Sequence, residues 1–76
     1  MKLTITTIDK VLWDGEADSA VVPGAEGEMT LLGHHMPLIT TLRSGTIIVK
    51  KDGERQAIPV ASGFLEVNKD RTTILV

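Results

Sequence analysis

An all-β fold is what this 76-residue sequence predicts, and three observations carry that expectation. Val, Ile and Thr, the side chains that suit a pleated surface, fill 23 positions. Apolar residues recur with a period of two, and no eleven-residue window holds a sustained helical stripe free of Gly or Pro. Turn-forming residues interrupt the chain at short intervals throughout.

Each expected element follows from that punctuation. In residues 2–8, Leu3 and Ile5 share one face, with Lys2, Thr4 and Thr6 opposite. Trp13 precedes Asp14-Gly15, read as a turn, and Pro23-Gly24 marks the next strand end. Residues 46–50 and 55–61 alternate less cleanly, with Ile48, Ile58 and Val60 read as their apolar positions. Between them, Asp52-Gly53 suits the positive φ values of a type I′ turn and predicts an antiparallel hairpin. Residues 64–67 and 72–76 are further β-branched or aromatic runs, with Phe64 assigned to the core. Eight or more short strands imply a flattened antiparallel β-sandwich or barrel, a single domain over residues 1–76.

Composition removes several function classes. An apolar content of 42% with a net charge of −2 excludes disorder, which needs low hydrophobicity and high charge. Eight bases against ten acids argue against binding nucleic acid through bulk positive charge. Without cysteine there is no disulfide, thiolate chemistry or Cys-rich zinc site. No apolar run exceeds three residues, so no segment reads as a membrane-spanning helix, and the first residues lack the apolar block of a secretory signal. A chain this short buries only about 60% of its unfolded surface, which favours a subunit that completes its burial against a partner.

The search for chemistry finds no catalytic constellation. None of Ser19, Ser44 and Ser62 lies in a Gly-x-Ser-x-Gly elbow, and Gly24-Ala25-Glu26-Gly27 lacks the lysine of a phosphate loop. Glu26 and Glu28 would share a face if their segment were extended, as a possible acid–base pair or as solvated carboxylates. His34 and His35 point to opposite sides of an extended chain, which favours surface or buried histidines over a metal site. Trp13 reads as a core aromatic closing one end of the sandwich, or as a docking anchor. Gly63 reads as a bulge or a close backbone approach. Residues 1–28 carry six acids and two bases, the remainder four acids and six bases: a solvated surface, or an acidic face selecting a basic partner.

One segment is more specific. Residues 21–40, VVPGAEGEMTLLGHHMPLIT, resemble the signature of the epsilon subunit of F-type ATP synthases, including His35-Met36-Pro37-Leu38 for the family's His-x-Pro-Leu loop. Leu42-Arg43-Ser44-Gly45-Thr46-Ile47 is similar to its next turn and strand. Ser62-Gly63-Phe64-Leu65-Glu66-Val67 resembles its Gly-Gly-hydrophobic-hydrophobic-Glu-Val element, with Ser62 for the first Gly. Residues 8–17 and 73–76 fit the opening and closing strands, so the resemblance covers essentially the whole chain.

That resemblance implies about ten strands in a flattened β-sandwich at the foot of a rotating central stalk. It implies a noncatalytic role that binds the gamma subunit, rests on the c-ring and helps couple ion flow to ATP synthesis, without cofactor, metal or nucleic acid. Matched residue by residue, Glu26, Gly27 and Glu28 fall on the c-ring edge, and His35 and Thr40 on the gamma surface. The expected location is peripheral, on the cytoplasmic face of a bacterial plasma membrane.

Family members usually continue into a two-helix hairpin, which has no counterpart in residues 1–76. A chain cut at the domain boundary and a naturally short subunit are the two readings, the second preferred. His34 also departs from the small or polar residue common at that position. Two competing functions stand beside the stalk subunit. One is a free-standing protein- or carbohydrate-binding β-sandwich, which would display aromatics in a groove. The other is a small metal-dependent enzyme built on His34, His35 and Glu28.

Overall fold

The computed structural model describes residues 1–33 and 37–76. Among them are nine strands: β1 (Lys2–Thr6), β2 (Val11–Glu16), β3 (Ser19–Gly24), β4 (Gly27–Leu31), β5 (Leu38–Leu42), β6 (Gly45–Lys51), β7 (Glu54–Val60), β8 (Gly63–Val67) and β9 (Thr72–Leu75). They join in the order β2-β1-β9-β8-β5-β3-β6-β7, with β4 on β3. The continuous sheet divides into a five-stranded half, β2-β1-β9-β8-β5, and a four-stranded half, β4-β3-β6-β7. A narrow seam joins them. The Gly24–Leu42 pair is flanked by the Ala25 amide donating to the Thr41 carbonyl and the Arg43 amide donating to the Pro23 carbonyl, each at 2.9 Å.

All-β architecture is therefore as expected, with nine described strands where the resemblance implied about ten. One pairing departs from an all-antiparallel sheet: β1 runs parallel to β9. Thr6 accepts a further bond from the Val76 amide at 2.9 Å, which extends that ladder by a residue.

Alternation decides the core. Leu3, Ile5, Leu65, Val67 and Ile74 from the five-stranded half meet Ala20, Val22, Leu31, Ile47, Val49, Ile58 and Val60 from the other, all buried. Within the first half, Ile5, Ile74 and Leu65 stand in register across three strands. Apolar side chains on both inner faces exclude water from one another, the dominant favourable contribution in a domain of this size.

Four readings of the sequence need correction or refinement. The turn expected at Asp14-Gly15 lies inside β2, where Gly15 pairs with Leu3, and the chain reverses instead around Ala17 and Asp18. Phe64 is not core but 56% exposed, because Leu65 and Val67 take the inner face and leave Phe64 and Glu66 outside. Ile48 is also turned outward, half-buried, while Ile47 and Val49 point in and Ile58 and Val60 are buried as their spacing suggests. Glu26 lies in the β3–β4 turn, so the extended geometry assumed for the Glu26/Glu28 pair does not apply to it.

The Asp52-Gly53 hairpin forms as predicted, with φ of 51° and 80° at the two central residues and an unbroken register from Lys51–Glu54 to Gly45–Val60. Pro59 is accommodated because β7 ends the strand order, where a missing ladder donor is tolerated. Trp13 is half-buried and packs against the core, in keeping with the core-aromatic reading.

Candidate functional site

Two surfaces stand out, one a polar turn and the other an apolar sheet face. The turn is the tight β3–β4 hairpin, closed by the Gly24–Gly27 pair with Ala25 and Glu26 at its tip. Gly24 is required there: a methyl group would approach the Gly27 carbonyl oxygen to 2.7 Å and the Met29 sulfur to 2.9 Å. Gly27, with φ of 138°, uses backbone freedom that other residues rarely have. Ala25, Glu26 and Glu28 are all exposed, so the hairpin projects two carboxylates into water on a rigid support.

Beside this turn a groove of about 280 Å³ is lined by residues of the hairpin together with Leu38 and Thr40. Thr40 registers opposite the buried Leu65, which turns it towards the inner side of β5, while its neighbours Ile39 and Thr41 face outward. The structure thus brings Thr40 to the same groove as Glu26, Gly27 and Glu28. His35, assigned with Thr40 from the sequence, lies outside the described residues, as does His34 of the metal reading.

The second surface escaped the sequence reading. Across the outer face of the five-stranded half, Val11, Thr6, Leu75, Phe64 and Thr41 form one cross-strand row. The next row is Asp14, Thr4, Thr73, Glu66 and Ile39. Val11, Leu75, Phe64 and Ile39 are exposed, Ile39 at 73%. Ile8 stands at the end of this face, 89% exposed, and lines a groove of about 400 Å³ with Phe64, Leu75 and Val76. Parity was the available signal, since Phe64 shares the phase of Glu66, and Ile39 that of Thr41.

Ile8 is held out by a dense set of bonds. The Thr7 hydroxyl oxygen accepts the Asp9 amide at 3.1 Å and the Lys10 amide at 3.0 Å. The Thr7 amide and the Thr6 hydroxyl both donate to the Lys10 carbonyl, at 2.8 and 2.9 Å. The backbone that carries Ile8 therefore has little further freedom to lose on binding.

What these surfaces can do is bind. The carboxylates suit basic groups, and the apolar face suits a complementary apolar surface. Among the described residues no group of three or more His, Asp or Glu is placed to hold a metal ion. Among the described residues no helix is long and apolar enough to cross a membrane.

Comparison with known proteins bears on the fold and the family. The model of the ATP synthase delta/epsilon chain β-sandwich domain matches residues 1–76. The ATP synthase epsilon chain of Dehalococcoides mccartyi is 43% identical over 75 residues, covering 99% of this chain and 54% of that protein. The ATP synthase epsilon chain of Nostoc sp. is 42% identical over 80 residues, covering 100% of this chain and 58% of that protein. This chain therefore spans about half the length of the curated relatives it matches.

Among solved structures, a chain of the Euglena gracilis mitochondrial ATP synthase, in an OSCP/F1/c-ring assembly, superposes with a TM-score of 0.92 at 25% identity. The match covers all of this chain and 49% of that one. A chain from the central stalk and c-ring of the Tetrahymena thermophila mitochondrial ATP synthase has the same fold, with a TM-score of 0.82 at 17% identity and 62% of that chain covered. The chain belongs to the ATP synthase delta/epsilon chain β-sandwich domain family.

Proposed function

We propose that the chain acts as the β-sandwich of a noncatalytic central-stalk subunit in a rotary ATP synthase, binding gamma and the c-ring and helping couple ion translocation to ATP synthesis. Its relatives are named ATP synthase epsilon chains, and a similar solved chain sits in an assembly with a c-ring. The observation that carries the reading is the exposed apolar face bearing Ile8, Val11, Ile39, Phe64 and Leu75. Water contact across such a face is unfavourable, and a stalk partner that covers it supplies the burial a small domain lacks.

In this reading the apolar face meets gamma, and the turn at Glu26, Gly27 and Glu28 rests on basic loops of the c-ring. Thr40, assigned to gamma with His35, lies on the inner side of β5 in the groove beside Glu28, so a gamma contact there is distinct from the one on the outer apolar face. The subunit is peripheral, carried to the cytoplasmic face of a bacterial plasma membrane by the complex. Two closed sheet halves without a described helix form a stiff adaptor for torque. A free-standing binding module fits less well: exposed Phe64 and half-buried Trp13 line different grooves, not one aromatic platform.

Co-expression with the gamma subunit from the same genome tests the proposal. A stable complex that Phe64→Glu abolishes is the expected result. No association at micromolar concentrations would overturn it.

A further inference from the structure

The outer face of the four-stranded half carries an arrangement that neither the fold nor the stalk role uses. Lys50 on β6 and Arg55 on β7 are direct cross-strand partners, so both side chains leave the same face of the sheet. Like charges placed directly opposite are destabilising in an antiparallel pair. Among the described residues neither base has an ion pair, the one such contact being the Met1 amino group with Glu16 at 3.3 Å. The nearby acids are otherwise engaged or placed. Asp18 Oδ2 accepts the Asp52 amide at 2.8 Å, and Glu54 registers opposite Lys51.

The surroundings add a shape to the charge. Ser19 registers opposite Lys50 on its other side, and Val21 opposite Ile48 one row along. These five residues, Ser19, Val21, Ile48, Lys50 and Arg55, line a groove of about 320 Å³. Val21 and Ile48 are half-buried and form an apolar floor, with two bases and a hydroxyl along one side. We propose that this groove docks an acidic segment of a partner protein, its carboxylates on Lys50 and Arg55 and an apolar side chain over Val21 and Ile48. Charge complementarity selects the partner: two adjacent unpaired bases are satisfied by carboxylates. A free phosphate would leave the apolar floor uncovered, and two bases on a chain of net charge −2 are too few for a nucleic-acid track.

The site is separate from the surfaces assigned to gamma and the c-ring, so its test does not depend on them. Amide NMR of the 76-residue chain is recorded with the probe peptide acetyl-Glu-Leu-Glu-Leu-Glu-amide and, separately, with inorganic phosphate. The expected result is peptide shifts concentrated at Ser19, Val21, Ile48, Lys50 and Arg55, an affinity about tenfold weaker for Lys50→Glu and for Arg55→Glu, and weaker binding at high salt. Both variants should also melt higher than the parent at low salt, because each replaces a repulsive pair with an attractive one. Absence of shifts at these positions, undiminished binding by both variants, or equal shifts with phosphate alone would overturn the proposal. A melting temperature unchanged or lowered in both variants would do the same.

Discussion

Gly63 at the start of β8 lies against the carbonyl of Leu75 on β9, so close that a methyl group on Gly63 would overlap the Leu75 oxygen. Of the two readings the sequence allowed for this glycine, the close backbone approach is the one that the fold uses. Leu75 itself belongs to the exposed apolar row, so this contact sets the spacing of two strands that carry the candidate gamma surface. Replacing Gly63 by Val should lower stability by about 1–3 kcal/mol, because strands and not a flexible side-chain end must move apart. Thermal unfolding checks this, and an unchanged melting temperature would show that the position has room.

Phe64 and Leu65 are chain neighbours with opposite fates, which makes a paired test. Leu65 is fully buried, so Leu65→Ala should cost about 2–5 kcal/mol through lost transfer energy and the cavity left behind. Phe64→Ala should cost less than about 1 kcal/mol, the scale of one cross-strand pair, yet weaken association with gamma. Denaturant melts of both variants, with a gamma-binding assay, check the outcome. The reverse order of stabilities would contradict the outward placement of Phe64.

Charge reversal at Glu28 should leave the fold intact. The side chain is exposed on a hairpin closed by Gly24 and Gly27, and surface changes of this kind usually lie within about 0.5 kcal/mol. In the assembled enzyme the same Glu28→Lys change should lower coupling between ion flow and ATP synthesis, read as proton- or sodium-driven synthesis at equal enzyme content. A chain that fails to fold would refute the placement.

Thr7→Ala removes the hydroxyl that accepts both the Asp9 and Lys10 amides. These groups are exposed, so water replaces part of the loss, and the expected cost is about 1 kcal/mol. Faster hydrogen exchange at the Asp9 and Lys10 amides, restored by Thr7→Ser, is the sensitive readout. Exchange unchanged in the alanine variant would show that the turn holds Ile8 without the hydroxyl.

Legibility varied along the chain for identifiable reasons. The hairpin at Asp52-Gly53 was readable because its backbone requirement is local and only a few residue types meet it. The phase of β1 was readable because Leu3 and Ile5 alternate with polar residues on both sides. In β6 and β8 consecutive apolar residues, Ile47-Ile48-Val49 and Phe64-Leu65, hid the phase, and only the polar residues further along, Lys50 and Glu66, carried it. Asp14-Gly15 had turn composition yet was drawn into β2, because pairing of β2 with β1 across Lys2 to Ile5 satisfies backbone groups that a turn there would leave unpaired. Of the candidate site, the solvent exposure of Glu26 and Glu28 was readable from the glycines around them, whereas the turn at Glu26 and the meeting of Thr40 with it were not.

The amino-acid order alone determined the all-β content and the Asp52-Gly53 hairpin, since these rest on periodicity and local φ preferences between neighbours in sequence, and its motifs carried the family resemblance. Only the tertiary structure decided which sheet face each apolar run turned to water and that β1 and β9 lie parallel. It alone placed Lys50 beside Arg55 and Ile8 beside Phe64. Such pairings join residues up to some seventy positions apart, and their energy comes from excluding water between both halves of one sheet, a quantity that no stretch of sequence possesses until the chain has closed on itself.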